Sequence, residues 1–122
     1  MSRTEALSSA LRSLRTNSPE IEASAVVSED GLVIASALPE NVEETRVAAM
    51  SAAVLSIGMR AVTELRKGQL EQVIAKGGDG YLLLAQAGPH AVLLALTSKD
   101  AKLGLVFFEM SRVGTMVKDI LS

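Results

Sequence analysis

The chain has 122 residues, a formal net charge of −2 and no cysteine, which excludes disulfides, thiol nucleophiles and zinc–thiolate sites. One histidine, three aromatic residues and no basic stripe argue against metal binding, base stacking and nucleic-acid partners. We therefore expect no metal, no cofactor and no nucleic acid. The aliphatic majority of the 48% hydrophobic residues predicts a single domain over residues 1–122, with a substantial core.

Apolar residues near the amino terminus are spaced singly, and no run of 18 apolar residues occurs, which predicts a cytoplasmic protein without membrane insertion. The stretch from Asn17 to Thr45 contains no lysine or arginine. It is either a solvated acidic edge or a docking surface for a basic partner.

Hydrophobic periodicity predicts the element order α-β-β-α-β-β-β-α. Ser2 and Glu5 have the spacing of a helix capping box, and Glu29-Asp30-Gly31 predicts a tight turn in a first hairpin. Short connections between strands predict an antiparallel sheet with helices on both faces. The predicted elements, in chain order, are Ser2–Thr16, Ile21–Ser28, Leu32–Ala35, Val42–Lys67, Leu70–Lys76, Tyr81–Ala85, Ala91–Leu96 and Ala101–Leu121.

The second predicted helix has two apolar stripes. A helix on the surface of a small domain needs only one such stripe, so we expect the second to pack on another protein. A central helix in a helical bundle would explain both stripes too, but the strands on either side disfavour a bundle. The first stripe is Val47, Met50, Val54, Ile57, Ala61 and Leu65; the second is Ala48, Ala52, Leu55, Met59 and Val62.

The sequence contains no evident set of catalytic residues. His90 lies in a turn beside Pro89, without a serine or aspartate near it in sequence. The glycines of residues 77–80 lead into a leucine-rich strand, which predicts a hairpin turn and not a phosphate loop. Arg60 could stabilise a phosphoryl-transfer transition state in a partner, but an ion pair with Glu64 one helical turn later is the favoured interpretation. We expect no active site.

Nearly the whole chain resembles the roadblock/dynein light-chain domain family. The resemblance rests on four features in the family's order: Glu29–Ala35 (EDGLVIA), the alanine-rich second helix, Lys76–Leu84 (KGGDGYLLL) and Leu103–Val106 (LGLV). It implies an α+β sandwich with one five-stranded antiparallel sheet. The second helix would cover one face, and the amino- and carboxy-terminal helices would cover the other.

The family also implies a function. Its members typically dimerise through the second helix and third strand, and those similar to a bacterial gliding-motility regulator activate Ras-like small GTPases. The resemblance therefore implies a homodimer that binds a Ras-like GTPase and controls its nucleotide cycle. The alternative is a non-catalytic dimeric scaffold for a motor, kinase or membrane complex. A ligand-sensing domain of related fold is a third possibility, although the aliphatic composition does not suggest a polar cavity.

Two sets of site residues follow from the helix stripes and the family's mode of pairing. The sequence does not say which stripe faces the sheet, so the two sets are interchangeable at this point. The expected dimer interface consists of Met50, Val54, Ile57, Ala61, Glu71, Val73 and Ala75. The expected partner-binding surface consists of Arg46, Ala49, Ala53, Ser56, Arg60, Thr63 and Lys67.

Overall fold

A computed structural model describes residues 2–122 and has the predicted element order. The five strands form one antiparallel sheet with the spatial order β2-β1-β5-β4-β3, so β1 and β5 join the amino-terminal hairpin to the carboxy-terminal strands. The predicted fold class is confirmed. The elements are α1 (Arg3–Asn17), β1 (Ile21–Ser28), β2 (Val33–Ala37), α2 (Glu44–Glu64), β3 (Gln72–Gly77), β4 (Gly80–Gln86), β5 (Ala91–Ser98) and α3 (Leu103–Leu121).

The sheet separates two apolar clusters, because successive side chains of a strand point to opposite faces. Leu83 and Leu93 are buried on the face covered by α1 and α3. Leu84 and Leu94 are buried on the opposite face, under α2. This two-sided burial explains the continuous apolar runs of β4 and β5, and it confirms the predicted helical layers.

The layer of α1 and α3 is joined by a polar contact as well as by apolar packing. The guanidinium of Arg112 on α3 donates one hydrogen bond to Ser13 Oγ on α1, at 2.8 Å, and another to Glu109 Oε1. One of the two hydrogen bonds of the predicted capping box is present in α1, since Ser2 Oγ accepts from the Glu5 backbone N–H at 3.1 Å.

The predicted bounds of α2 were wrong at both ends. The helix begins at Glu44, two residues after the predicted start at Val42, and has Glu43 at its N-cap. It ends at Glu64 because Arg66 adopts a left-handed conformation, with φ 59°. The Arg66 N–H donates to the Thr63 carbonyl, and the Lys67 N–H to the Val62 carbonyl. These are the two hydrogen bonds of a Schellman motif, which stops a helix.

The second strand also differs from its prediction. The apolar run from Leu32 to Ala35 was the predicted strand, but β2 spans Val33–Ala37 and Leu32, which precedes it, is 66% exposed. The predicted turn before it is confirmed: Gly31 has φ 87°, and a Cβ there would lie 3.2 Å from Ala52 Cβ. β2 is an edge strand, so only β1 and the two helical layers cover it.

Candidate functional site

The side of α2 that faces the sheet contains most of the second apolar stripe. Ala48 and Leu55 are buried in the cluster between α2 and the sheet, and Ser51 is buried beside them. Ser51 Oγ donates to the Val47 carbonyl at 2.7 Å, which satisfies its hydroxyl within the helix. Met59 belongs to the same stripe but lies near the end of the helix, where it is exposed.

The first stripe is largely uncovered. Met50 is 59% exposed and Ile57 is 70% exposed, although both are large apolar side chains on a helix that packs against a sheet. Val54 lies between them, half-buried against the cluster under α2. Ala61, one turn further along, is exposed. We call Met50, Val54, Ile57 and Ala61 the β3 flank of α2.

Contacts of the helix show why this flank borders β3. A Cβ on Gly58, which is one turn from Val54, would lie 3.4 Å from side-chain atoms of both Leu70 and Val73. Val73 pairs with Leu84, so it points to the α2 side of the sheet. Alternation along the strand puts Ala75 on that side too, and Glu71 just before it. The structure thus brings the residues of the expected dimer interface to one side of the molecule.

The two edges of the sheet are built differently. β3 pairs with β4 through six consecutive residues without a shift of register. β2 pairs with β1 with a shift between Val26 and Val27, which leaves Ile34 as an extra residue. A bulge of this kind protects a sheet edge by distorting it, whereas a regular edge offers a template for another strand. Ile74 on β3 is half-exposed on the opposite side of the sheet.

The expected partner-binding residues lie on the outer face of α2, except for one. Six of them are exposed on the helix itself: Arg46, Ala49, Ala53, Ser56, Arg60 and Thr63. Arg60 pairs with Glu64 at 3.6 Å, with both side chains in solvent, as the favoured interpretation predicted. Lys67 follows the Schellman turn and lies outside the helix, in a groove with Lys118 of α3.

α2 is long and apolar enough to span a membrane by length and composition alone, with a mean hydropathy of 1.3 over its most apolar stretch. This is weak evidence for a membrane helix, since core helices of soluble proteins have the same property. Only 17% of that stretch is buried by the rest of the chain, however. Most residues of that stretch are exposed or half-buried, and an exposed apolar surface of this kind is typical of an interaction site.

The other polar candidates stay apart from this surface. His90 lies in the β4–β5 turn with its Nδ1 3.3 Å from Glu29 Oε1, and both side chains are exposed. The glycines of residues 77–80 form the turn between β3 and β4, as predicted. Among residues 2–122, no group of three or more potential metal ligands comes together.

The sequence interpretation did not identify one exposed apolar pair, which lies on α3. Leu105 is 64% exposed and Phe108 is 69% exposed. The apolar stripe of this helix runs through Val106, Met110 and Val113, which are buried. By helical spacing, Leu105 and Phe108 lie outside that stripe. Their position off the buried stripe is the sequence feature that could have predicted their exposure.

Comparisons with known proteins agree with this architecture. The uncharacterized protein MJ0310 of Methanocaldococcus jannaschii is 39% identical over 98 residues, which are 80% of this chain and 85% of that protein. An MglB structure with a tetrameric arrangement has a TM-score of 0.90 at 18% identity, covering 98% of this chain and 90% of that one. The gliding protein MglB of Thermus thermophilus has a TM-score of 0.89 at 18% identity, covering 98% and 91%.

The two MglB structures share the fold of this chain across nearly its whole length. At the level of sequence, the model of the Roadblock/LC7 domain matches residues 7–97, from α1 to the end of β5. That match includes the hairpin, the apolar α2 and the regular edge strand β3. The chain belongs to the Roadblock/LC7 domain family.

Proposed function

We propose that the chain is a homodimeric regulatory protein that binds a small Ras-like GTPase and controls its GTP hydrolysis, without an active site of its own. The observation that carries this proposal is the uncovered β3 flank of α2 beside a regular, unpaired sheet edge. Family membership and the shared fold with MglB support the class of partner. As a soluble regulator, the protein would act in the cytoplasm.

A second copy of the chain would cover the β3 flank of α2 and pair with the free edge of β3 at the same time. A twofold axis perpendicular to the sheet pairs β3 with β3 of the partner in the antiparallel sense. Such an axis keeps both α2 helices on the same side of the extended sheet, next to each other. Met50 and Ile57 of each copy would then be covered by the other. The tetrameric arrangement of one MglB structure is consistent with self-association of this fold.

The outer face of α2 remains free in this dimer and is the proposed docking surface for the GTPase. It combines two arginines, Arg46 and Arg60, with small side chains that permit close approach. Because the two helices lie side by side, their outer faces form one surface across both protomers. The arginines are exposed to solvent, which suits recognition of a partner surface more than transition-state stabilisation.

A non-catalytic scaffold is the second candidate, since the same surface would tether a partner without altering its chemistry. Single-turnover GTP hydrolysis separates the two, using the Ras-like GTPase encoded nearest to this gene. Regulation predicts a complex and a change in hydrolysis rate of about tenfold or more. Scaffolding predicts a complex with an unchanged rate.

The control for this assay is a pair of charge reversals. Arg60→Glu should weaken the complex, whereas Lys99→Glu, in the turn after β5, should leave it intact. The absence of any complex, or equal effects of the two reversals, would contradict the proposed docking surface.

A further inference from the structure

A groove of about 880 Å³ lies between the carboxyl-terminal end of α2 and the β4–β5 turn. Lys67, which follows α2, and Lys118 of α3 lie along it. Its apolar residues are Met59, Leu70 and Pro89. Residues of both helical layers therefore line the groove. It is centred away from the outer face of α2, with which it shares Thr63, and it shares Glu71 with the expected dimer interface.

Backbone contacts fix the positions of the two lysines. Gly88 has φ 98°, and a Cβ there would lie 3.1 Å from Lys118 Cγ, so the turn packs closely on the stem of that lysine. Lys67 is held at its backbone by the Schellman hydrogen bond to Val62, at 2.7 Å. Both residues are exposed, so their ammonium groups are accessible while their attachment points are constrained.

Neither lysine has an ionic partner within the part of the chain that the structure describes. The ion pairs of residues 2–122 are Arg60–Glu64, His90–Glu29 and Arg112–Glu109. Glu71 is the one carboxylate among the described residues that line the groove, against two lysines. The groove therefore presents an excess of positive charge beside apolar side chains.

We propose that this groove is a second docking site, which binds a short acidic segment of a partner protein. Lys67 and Lys118 would bind carboxylates of the segment, and Met59, Leu70 and Pro89 would contact an apolar side chain between them. A protein segment fits this combination because it supplies both charge and apolar surface along one extended chain. Nucleic acid is disfavoured, since no aromatic side chain among the described residues lines the groove for base stacking.

The test uses the full chain and a display library of random 12-residue peptides. We expect the selected peptides to contain two or more acidic residues and an apolar residue. In ¹⁵N spectra of the native protein, the peptides should shift the amides of Lys67, Leu70, Gly88 and Lys118. Their affinity for the K67E/K118E double variant should fall about tenfold or more at low salt. Affinity for Lys99→Glu should stay within about twofold.

Three results would overturn the proposal. The first is selection of no peptide, or of peptides without acidic enrichment. The second is amide shifts on the outer face of α2 and not in the groove, which the native protein reports even if the double variant does not fold. The third is an equal loss of affinity in Lys99→Glu, since that would mean general charge attraction. None of these results bears on dimerisation or on GTP hydrolysis.

Discussion

Arg66 shows how one residue shapes this molecule. Among residues 2–122 it is the only residue other than glycine with a positive φ. It occupies the position after the C-cap of α2, where glycine is usual because its lack of a Cβ avoids crowding in the left-handed conformation. The turn that it makes leads the chain back from α2 to β3 and sets Lys67 at the groove.

Replacing Arg66 by glycine should stabilise the protein. Arg66→Gly removes the Cβ crowding of a left-handed residue, with an expected gain of about 1 kcal/mol in the free energy of unfolding. Urea denaturation, followed by far-ultraviolet circular dichroism, measures this gain as a higher midpoint at unchanged slope.

The matched control is Arg66→Ala, which shortens the side chain but keeps the Cβ. Its unfolding free energy should stay within about 0.5 kcal/mol of the native value. If Arg66→Ala stabilises as much as Arg66→Gly, then loss of the charged side chain, and not relief of backbone crowding, explains the effect.

At the scale of the element, the strands were the part of the fold most readily predicted from the sequence. β4 and β5 have continuous apolar runs because each side chain meets a helical layer, so length and turn residues identified them. The same rule failed for Leu32, which precedes the edge strand β2 and is exposed. Edge position is a property of strand order, which local sequence does not contain.

The sequence predicted that α2 exists and has two apolar stripes, but it predicted neither the helix bounds nor the orientation correctly. Its end depends on an arginine in a conformation that favours glycine, so residue type gave no signal there. Both stripes are apolar, and the choice between them is made by contacts with Leu70, Val73 and Gly31, which are distant in sequence. The roles of the two site sets as dimer and partner surfaces remain predictions.

Leu55 tests the sheet-facing side of α2. It is 5% exposed, and Leu55→Ala should lower the free energy of unfolding by about 3 kcal/mol through lost burial and a residual cavity. The variant should keep the molecular mass of the native protein in solution. Denaturation and light scattering on the same sample measure both quantities, and a small loss of stability would mean that this side of α2 is not a packed interface.

Ile57 tests the β3 flank, only two residues away. Ile57→Glu places a charge in the proposed dimer interface, so the expected result is a monomer with native circular dichroism. The control is Ser56→Glu, which adds the same charge on the outer face and should leave the mass of the dimer unchanged. If both variants have the native mass, the β3 flank does not form the dimer.

The whole molecule has one protected edge and one open one. The bulged β2 lies at one end of the sheet, and the regular β3 lies at the other, beside exposed Met50 and Ile57. An arrangement with two open edges would allow growth into a filament, whereas one open edge pairs once and closes. This asymmetry is why a closed dimer is the assembly that we expect.

The solution mass at micromolar concentration tests this central claim most directly. Size-exclusion chromatography with multi-angle light scattering should give a mass about twice the 12.8 kDa of one chain, constant across the peak. A constant mass of one chain at that concentration would contradict the proposed pairing of β3 and α2. It would also leave the uncovered side of α2 to a different partner.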